Sequence, residues 1–163
     1  MTKPIKFSVV LPVHNGILHI KECIDSVLSQ SYSNFDLIVL ENGSNDGTVD
    51  FLNSVSDERL KIFPADSFIS MEDNYLRINE IPKNEFFTLI GHDDIYDANY
   101  LEVMRDLIID NPNATIFQAH FRFVNFLIPK KFRPSFSQSP ASSSLCDAPR
   151  NHIVSPCPSC PES

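Results

Sequence analysis

Two adjacent carboxylates, Asp93 and Asp94, close the stretch Phe86-Phe87-Thr88-Leu89-Ile90-Gly91-His92-Asp93-Asp94. Charges this close repel unless solvent, a cation or a basic partner balances them, and a divalent metal is the obvious candidate. Mg²⁺ and Mn²⁺ prefer oxygen donors. In phosphate chemistry one or two carboxylates typically hold them while phosphate oxygens complete the shell. The pair therefore suits a metal-bound diphosphate; as plain local structure it is a turn with one aspartate capping a helix. Two further loops carry polar side chains. His14 and Asn15 follow the apolar run at residues 7–12, and Glu41, Asn42 and Asp46 follow the run at 37–40. Glu41 or Asn42 could offer an oxygen to an N–H group of a nucleobase or to a ribose hydroxyl. Asn42-Gly43 and Asp46-Gly47 are equally ordinary turn pairs.

Each of these loops follows an apolar run of strand length, and the elements between them must bring the loops together. The chain has only four glycines, and Gly16, Gly43, Gly47 and Gly91 all fall in the three loops. Glycine permits positive φ and close backbone approach to a ligand. In an open parallel sheet the ligand sits beyond the carboxyl ends of the strands, where these loops would converge. The run at 86–90 reads as a buried strand in the middle of a sheet covered on both faces.

Helical spacing of Ile20, Cys23, Ile24, Val27 and Leu28 predicts a helix over residues 18–30, so strand, helix and strand fit the about 35 residues of a βαβ unit. Asp46 is placed to cap a short helix at 48–55 with Val49, Phe51 and Leu52 inward, followed by a strand at 60–63. Ser70 caps a helix at 70–81 that turns Met71, Tyr75, Ile78 and Ile81 inward. Another helix is expected at 98–109 with Leu101, Met104, Leu107 and Ile108 inward, and a fifth strand at 115–124.

At 163 residues with 42% hydrophobic composition, the chain suits one soluble domain. A net charge of -8 argues against a general nucleic-acid binder, which presents a basic footprint to phosphates. Lys130, Lys131 and Arg133 give a weak hint of peripheral contact with a membrane surface. The sequence has neither a bilayer-length apolar run nor a signal-peptide h-region, so a cytoplasmic, reducing home is expected. Cys23 on an apolar helix face argues against a four-cysteine disulfide frame.

Beyond Leu127 the composition changes. Seven of the twelve prolines lie between Pro129 and Pro161, among serines and without apolar periodicity. The expected organisation is a folded domain over 1–127 and a disordered or loosely packed tail over 128–163. Cys146, His152, Cys157 and Cys160 in the tail could hold Zn²⁺. Their spacing matches no common finger, and Pro156, Pro158 and Pro161 crowd the pair.

Three stretches, in order and spacing, carry a resemblance. They are Ser8-Val9-Val10-Leu11-Pro12-Val13-His14-Asn15, then Cys23-Ile24-Asp25-Ser26-Val27-Leu28-Ser29-Gln30-Ser31-Tyr32, then Glu41-Asn42-Gly43-Ser44-Asn45-Asp46-Gly47-Thr48. Together they resemble the N-terminal signature of family 2 glycosyltransferases of the GT-A fold, over about residues 5–125. Gly91-His92-Asp93-Asp94 falls where that family carries its DXD motif. Met71-Glu72-Asp73-Asn74 resembles the stretch that helps close the donor site.

The resemblance implies an α/β three-layer sandwich with a mostly parallel central sheet. It implies a nucleotide-diphospho-sugar donor, a UDP-sugar first among them, and a glycan or lipid-linked hydroxyl acceptor. Pro12, Val13, His14 and Asn15 would lie beside base and ribose, with Glu41 and Asn42 on the base edge and Gly43, Asp46 and Asn74 around them. Asp93 and Asp94, with His92 beside them, would meet the diphosphate, the two aspartates holding Mg²⁺ or Mn²⁺. The implied reaction is inverting transfer in the synthesis of surface polysaccharide or glycoconjugate.

Gly91 departs from the pattern, since many members carry the first aspartate there. The acceptor half with its general base, expected after the fifth strand, is replaced by the Pro/Ser segment. That suggests a truncated or frame-shifted product, and with it the alternative of a non-catalytic, nucleotide-binding remnant. A phospho-receiver domain also gathers acids at strand ends, but Pro12-Val13-His14-Asn15 supplies no carboxylate for one.

Overall fold

The structure, a computed structural model, describes residues 4–119. Four strands, β1 (Phe7–Val13), β2 (Phe35–Glu41), β3 (Leu60–Pro64) and β4 (Phe86–Leu89), form one sheet in the order β3-β2-β1-β4. Every neighbouring pair is parallel, with Phe7 opposite Phe35 and Phe86, and Leu37 opposite Leu60. All residues of β1 and β2 are buried, as expected of central strands covered on both faces. The tail, with its possible zinc ligands and basic cluster, lies outside the described residues.

The two faces of the sheet have separate cores. Val9, Leu11, Val13, Leu37 and Val39 pack with Ile20, Cys23, Ile24 and Val27 of α1 (Ile20–Leu28), Leu52 of α2 (Thr48–Ser54), and Leu101, Met104 and Ile108 of α4 (Tyr100–Asp110). On the other face Val10, Ile38 and Leu40 meet Ile78 and Ile81, in and just beyond the 3₁₀ turn Arg77–Asn79 that follows α3 (Met71–Leu76). The alternation of Val9 and Val10 between the cores is the period-2 geometry of a strand. Helices on both faces of a parallel sheet make a three-layer α/β architecture.

Some expectations are corrected. The helix predicted over 18–30 is shorter at both ends, and Leu18 stays in solvent. Val49 and Leu107 are exposed, although each shares a helix with correctly placed inward residues. Met71 and Tyr75 are also exposed. The residue that α3 buries is polar Asn74, because α3 lasts only six residues before tightening at Arg77. Finally, β4 is not a middle strand among the described residues. It sits at an edge, with Phe87 49% and Leu89 45% exposed. Residues 115–119 of the expected fifth strand form no strand, and the remainder lies outside the described residues.

The strand order places the candidate loops. From β1 the chain moves outward to β2 and β3, then crosses to the other side of β1 for β4. That reversal makes a switch point between β1 and β4, where a crevice opens beyond the strand carboxyl ends. The loop after β1 carries His14, Asn15 and Gly16. Beyond β4 come Gly91, His92, Asp93 and Asp94.

Candidate functional site at the strand carboxyl ends

The loops after β1 and β2 are laced together. Asn42 N–H donates to the Val13 carbonyl at 3.0 Å, and His14 Nδ1 donates to the Asn42 carbonyl at 2.8 Å. A carbonyl only accepts, so Nδ1 carries the proton, and Asn15 Nδ2 can donate to Nε2 at 3.2 Å. Asn15 N–H reaches Ser44 Oγ at 2.9 Å, while its own Oδ1 accepts from Asn45 N–H at 2.9 Å. Such reciprocal bonds fix Asn15 at φ 52, a left-handed conformation that asparagine tolerates better than most residues. Gly16 N–H donates to Thr48 Oγ1 at 2.9 Å.

Two acids in the second loop serve its own backbone. The buried Glu41 carboxylate accepts Gly43 N–H at 3.1 Å and Ser44 N–H at 2.6 Å. Asp46 Oδ1 accepts from Thr48 N–H and Oγ1, and Oδ2 accepts from Ile17 N–H at 3.0 Å. Desolvation pushes the Asp46 carboxyl up, but those bonds together outweigh it and hold it below the usual carboxylate range. The local turn reading of Asp46 is thus what the geometry displays. Asn42 behaves differently, because its amide bonds no nearby backbone. It reaches 27 residues along the chain, donating to the Ile69 carbonyl and accepting from Ile69 N–H, both at 2.9 Å.

The third loop joins through Gly16. A Cβ built there would come 2.7 Å from Val13 Cγ2 and 2.9 Å from His92 Cδ2, so the imidazole packs directly on the first loop. From below, Cys23 Sγ donates to the Gly91 carbonyl at 3.3 Å. Burial, followed by the fields of Asp94 and Asp93, pushes this thiol up to about 12, which keeps it protonated as that donor. Asp93 Oδ1 and Asp94 Oδ2 both fold over Gly91, each 2.9 Å from where a Cβ would stand. A side chain at this position would displace only the tips of two exposed, flexible aspartates, so the glycine leaves them room to lie together without being required for it. Both aspartates are exposed, and no ion pair to either is found among the described residues.

The sequence-predicted residues accordingly divide. His14, Asn15, Gly43, His92, Asp93 and Asp94 line the rim of the three loops, while Pro12, Val13, Glu41, Asn42 and Asn74 are buried beneath it. Asn74 Nδ2 approaches the Leu40 carbonyl at 3.4 Å, and its Oδ1 accepts from Arg77 Nη1 at 2.9 Å. Arg77 was missed by sequence reasoning. Its guanidinium donates to the Glu41, Phe63 and Pro64 carbonyls at 3.0, 2.7 and 3.0 Å, tying the carboxyl ends of β2 and β3 together. A basic residue one turn after Asn74 was the available signal. Cys23 was read only as an inward helix residue, and nothing in its spacing indicates the bond to Gly91.

Can these residues hold a cation? Among the described residues no three His, Cys, Asp or Glu side chains gather as a ready-made metal site. Two exposed, unpaired carboxylates converging on one point do fit an ion that keeps open positions for substrate oxygens. A separate apolar cavity of about 310 Å³ lies away from this rim, between β4 and α4, lined by Phe86, Met104 and Ile116.

A single parallel sheet between two helical layers, with three loops meeting at its switch point, is the GT-A fold. The chain belongs to glycosyl transferase family 2, whose family model matches residues 8–154. An uncharacterised glycosyltransferase of Rickettsia typhi is 31% identical over 112 residues, which is 68% of this chain and 35% of that protein. The UDP-Glc:alpha-D-GlcNAc-diphosphoundecaprenol beta-1,3-glucosyltransferase WfgD of Escherichia coli is 26% identical over 131 residues, covering 76% of this chain and 51% of WfgD. Among solved structures, S. aureus TarS 1-349 superposes with a TM-score of 0.61 at 20% identity, covering 66% of this chain and 33% of TarS. TarS has also been solved with UDP and with UDP-GlcNAc. The expected fold is borne out. The chain spans about a third of the length of the Rickettsia relative.

Proposed function

We propose that the chain binds a nucleotide-diphospho-sugar across the β1/β4 switch point and takes part in transferring its sugar, with inversion, to a hydroxyl acceptor. The carrying observation is the convergence of the three loops, with the Asp93 and Asp94 carboxylates brought together over Gly91. Family membership supports the reaction class. The nucleotide complexes of TarS and the glucosyltransferase activity for which WfgD is named support a UDP-sugar donor and a glycan or lipid-linked acceptor.

Electrostatics favours metal dependence. A diphosphate approaching two exposed aspartates meets like charge, and a divalent cation between them reverses the sign of that interaction. Asp93 and Asp94 are the residues that would hold Mg²⁺ or Mn²⁺. When bound, the ion supplies Lewis-acid stabilisation of the departing nucleoside diphosphate. The protein's share is positional. Cys23 fixes the Gly91 carbonyl, Gly16 seats His92, and the laced loops hold base and ribose beside His14 and Asn15.

The test is calorimetry of UDP with Mn²⁺, together with hydrolysis or transfer assays on UDP-sugars, for the wild type and Asp93→Ala. Removing a metal ligand should lower Mn²⁺-dependent turnover at least about 100-fold. Unchanged turnover in the variant removes the metal role. Tight UDP binding by the 163 residues with no transfer to any offered acceptor would leave nucleotide binding without turnover as the reading.

A further inference from the structure

We infer that Phe68 is a stacking platform for the donor's nucleobase. This rests on the donor-binding function just proposed. Phe68 lies in the segment between β3 and α3 and is 61% exposed. Exposed aromatics are common on protein surfaces, and exposure alone means little. The informative feature is how firmly this one is held. Its neighbour Ile69 is bonded at both N–H and carbonyl by the amide of Asn42, which is itself only 2% exposed. Ahead of it, Ala65 N–H donates to the Glu41 carbonyl at 2.8 Å, so the segment is tied to the end of β2 on both sides of the phenylalanine.

Beneath the ring's own backbone there is no spare room. A Cβ on Gly43 would stand 2.8 Å from Phe68 N, and Gly43 adopts φ +66 to pass there. The phenyl ring meets the His14 imidazole with centroids 4.6 Å apart and planes tilted by 50°. Two rings from separate loops thus form an angled aromatic wall at the rim, rigidly mounted and with Phe68 largely open to solvent. An aromatic surface of this kind takes the flat face of a base, because every nucleobase has a π face and stacking needs no particular edge. Phe68 then contributes affinity for the nucleoside part of the ligand. Discrimination between bases falls to other groups of the rim.

The chain contains no tryptophan, so a Phe68→Trp variant of the full 163-residue chain carries a single indole at the proposed platform. UDP, added with Mn²⁺, should quench that indole, whereas inorganic pyrophosphate with Mn²⁺ should leave it unchanged. Calorimetry should find UDP bound about tenfold or more weakly by Phe68→Ala, and nearly as well by Phe68→Tyr as by wild type. Circular dichroism of the alanine variant, whose ring is exposed in the parent, checks that the fold is intact. If wild type binds UDP while Phe68→Ala binds it equally and the indole does not respond, the platform is refuted and the donor reading stands. If wild type binds none of UDP, CDP or GDP, the donor reading itself fails and the platform with it.

Discussion

Asn42→Ala should destabilise the protein well beyond a typical surface change. All the polar groups of Asn42 are engaged: its N–H with Val13, its carbonyl with His14, and both ends of its amide with Ile69. Truncation leaves the Ile69 N–H and carbonyl without partners. An unsatisfied buried group costs about 1–3 kcal/mol, and Ile69 is half-buried, so the lower end applies to each and the sum is about 2–3 kcal/mol. With a urea m-value of about 1–3 kcal/mol/M, the midpoint should fall by roughly 1 M or more. Asn42→Asp supplies the sign test. Its carboxylate would still accept Ile69 N–H but would face the Ile69 carbonyl, so ionisation is disfavoured in the fold and the folded pKa is raised. The stability that variant retains is then fully present below the unfolded pKa of about 4 and lost as pH rises through the folded value. Its deficit relative to wild type should therefore shrink on acidification. A loss below about 0.5 kcal/mol for Asn42→Ala, or a pH-independent deficit for Asn42→Asp, refutes the assignment of this amide as the tie between the two segments.

Two more outcomes are expected. Gly43→Ala forces a Cβ to within 2.8 Å of Phe68 N at a left-handed φ, and should cost about 1–3 kcal/mol in denaturant unfolding. At Asp36, only 8% exposed, desolvation pushes the carboxyl up, yet bonds from Lys6, Lys61 and Asn84 outweigh it and hold it below the usual range. Its contribution is present above the unfolded pKa and lost as pH falls through the lower folded one. Asp36→Asn should flatten the acid limb of a stability profile between about pH 2 and 5, and superimposable limbs would exclude this role.

The central strands were legible because β1 and β2 are buried on both faces, which leaves unbroken apolar runs in the sequence. The Ser70 cap was legible for a related reason, being a purely local event in which Oγ accepts from Asp73 N–H. Where reading failed, the deciding contact was distant or polar. Apolar spacing aimed Met71 and Tyr75 inward, but α3 packs through Asn74 and hands the apolar contact to Ile78 and Ile81. Among the described residues β4 ends the strand order, a placement of which the run Phe86–Leu89 itself carries no mark. In the site, the three loops and their glycines were evident from residue type. The bond from Asn42 to Ile69 and the reach of Arg77 to two strand ends join residues far apart in sequence, and no local pattern encodes them.

Where the ladder of a parallel sheet runs out, backbone carbonyls are left to find other partners, and an unpartnered oxygen repels an anion. Through Arg77 that repulsion is blotted out on one flank, where a permanent cation occupies the oxygens of Glu41, Phe63 and Pro64. A lysine put there would keep the charge yet lack the planar fork that spans several acceptors, so this flank would become wetter and looser without any change in net charge.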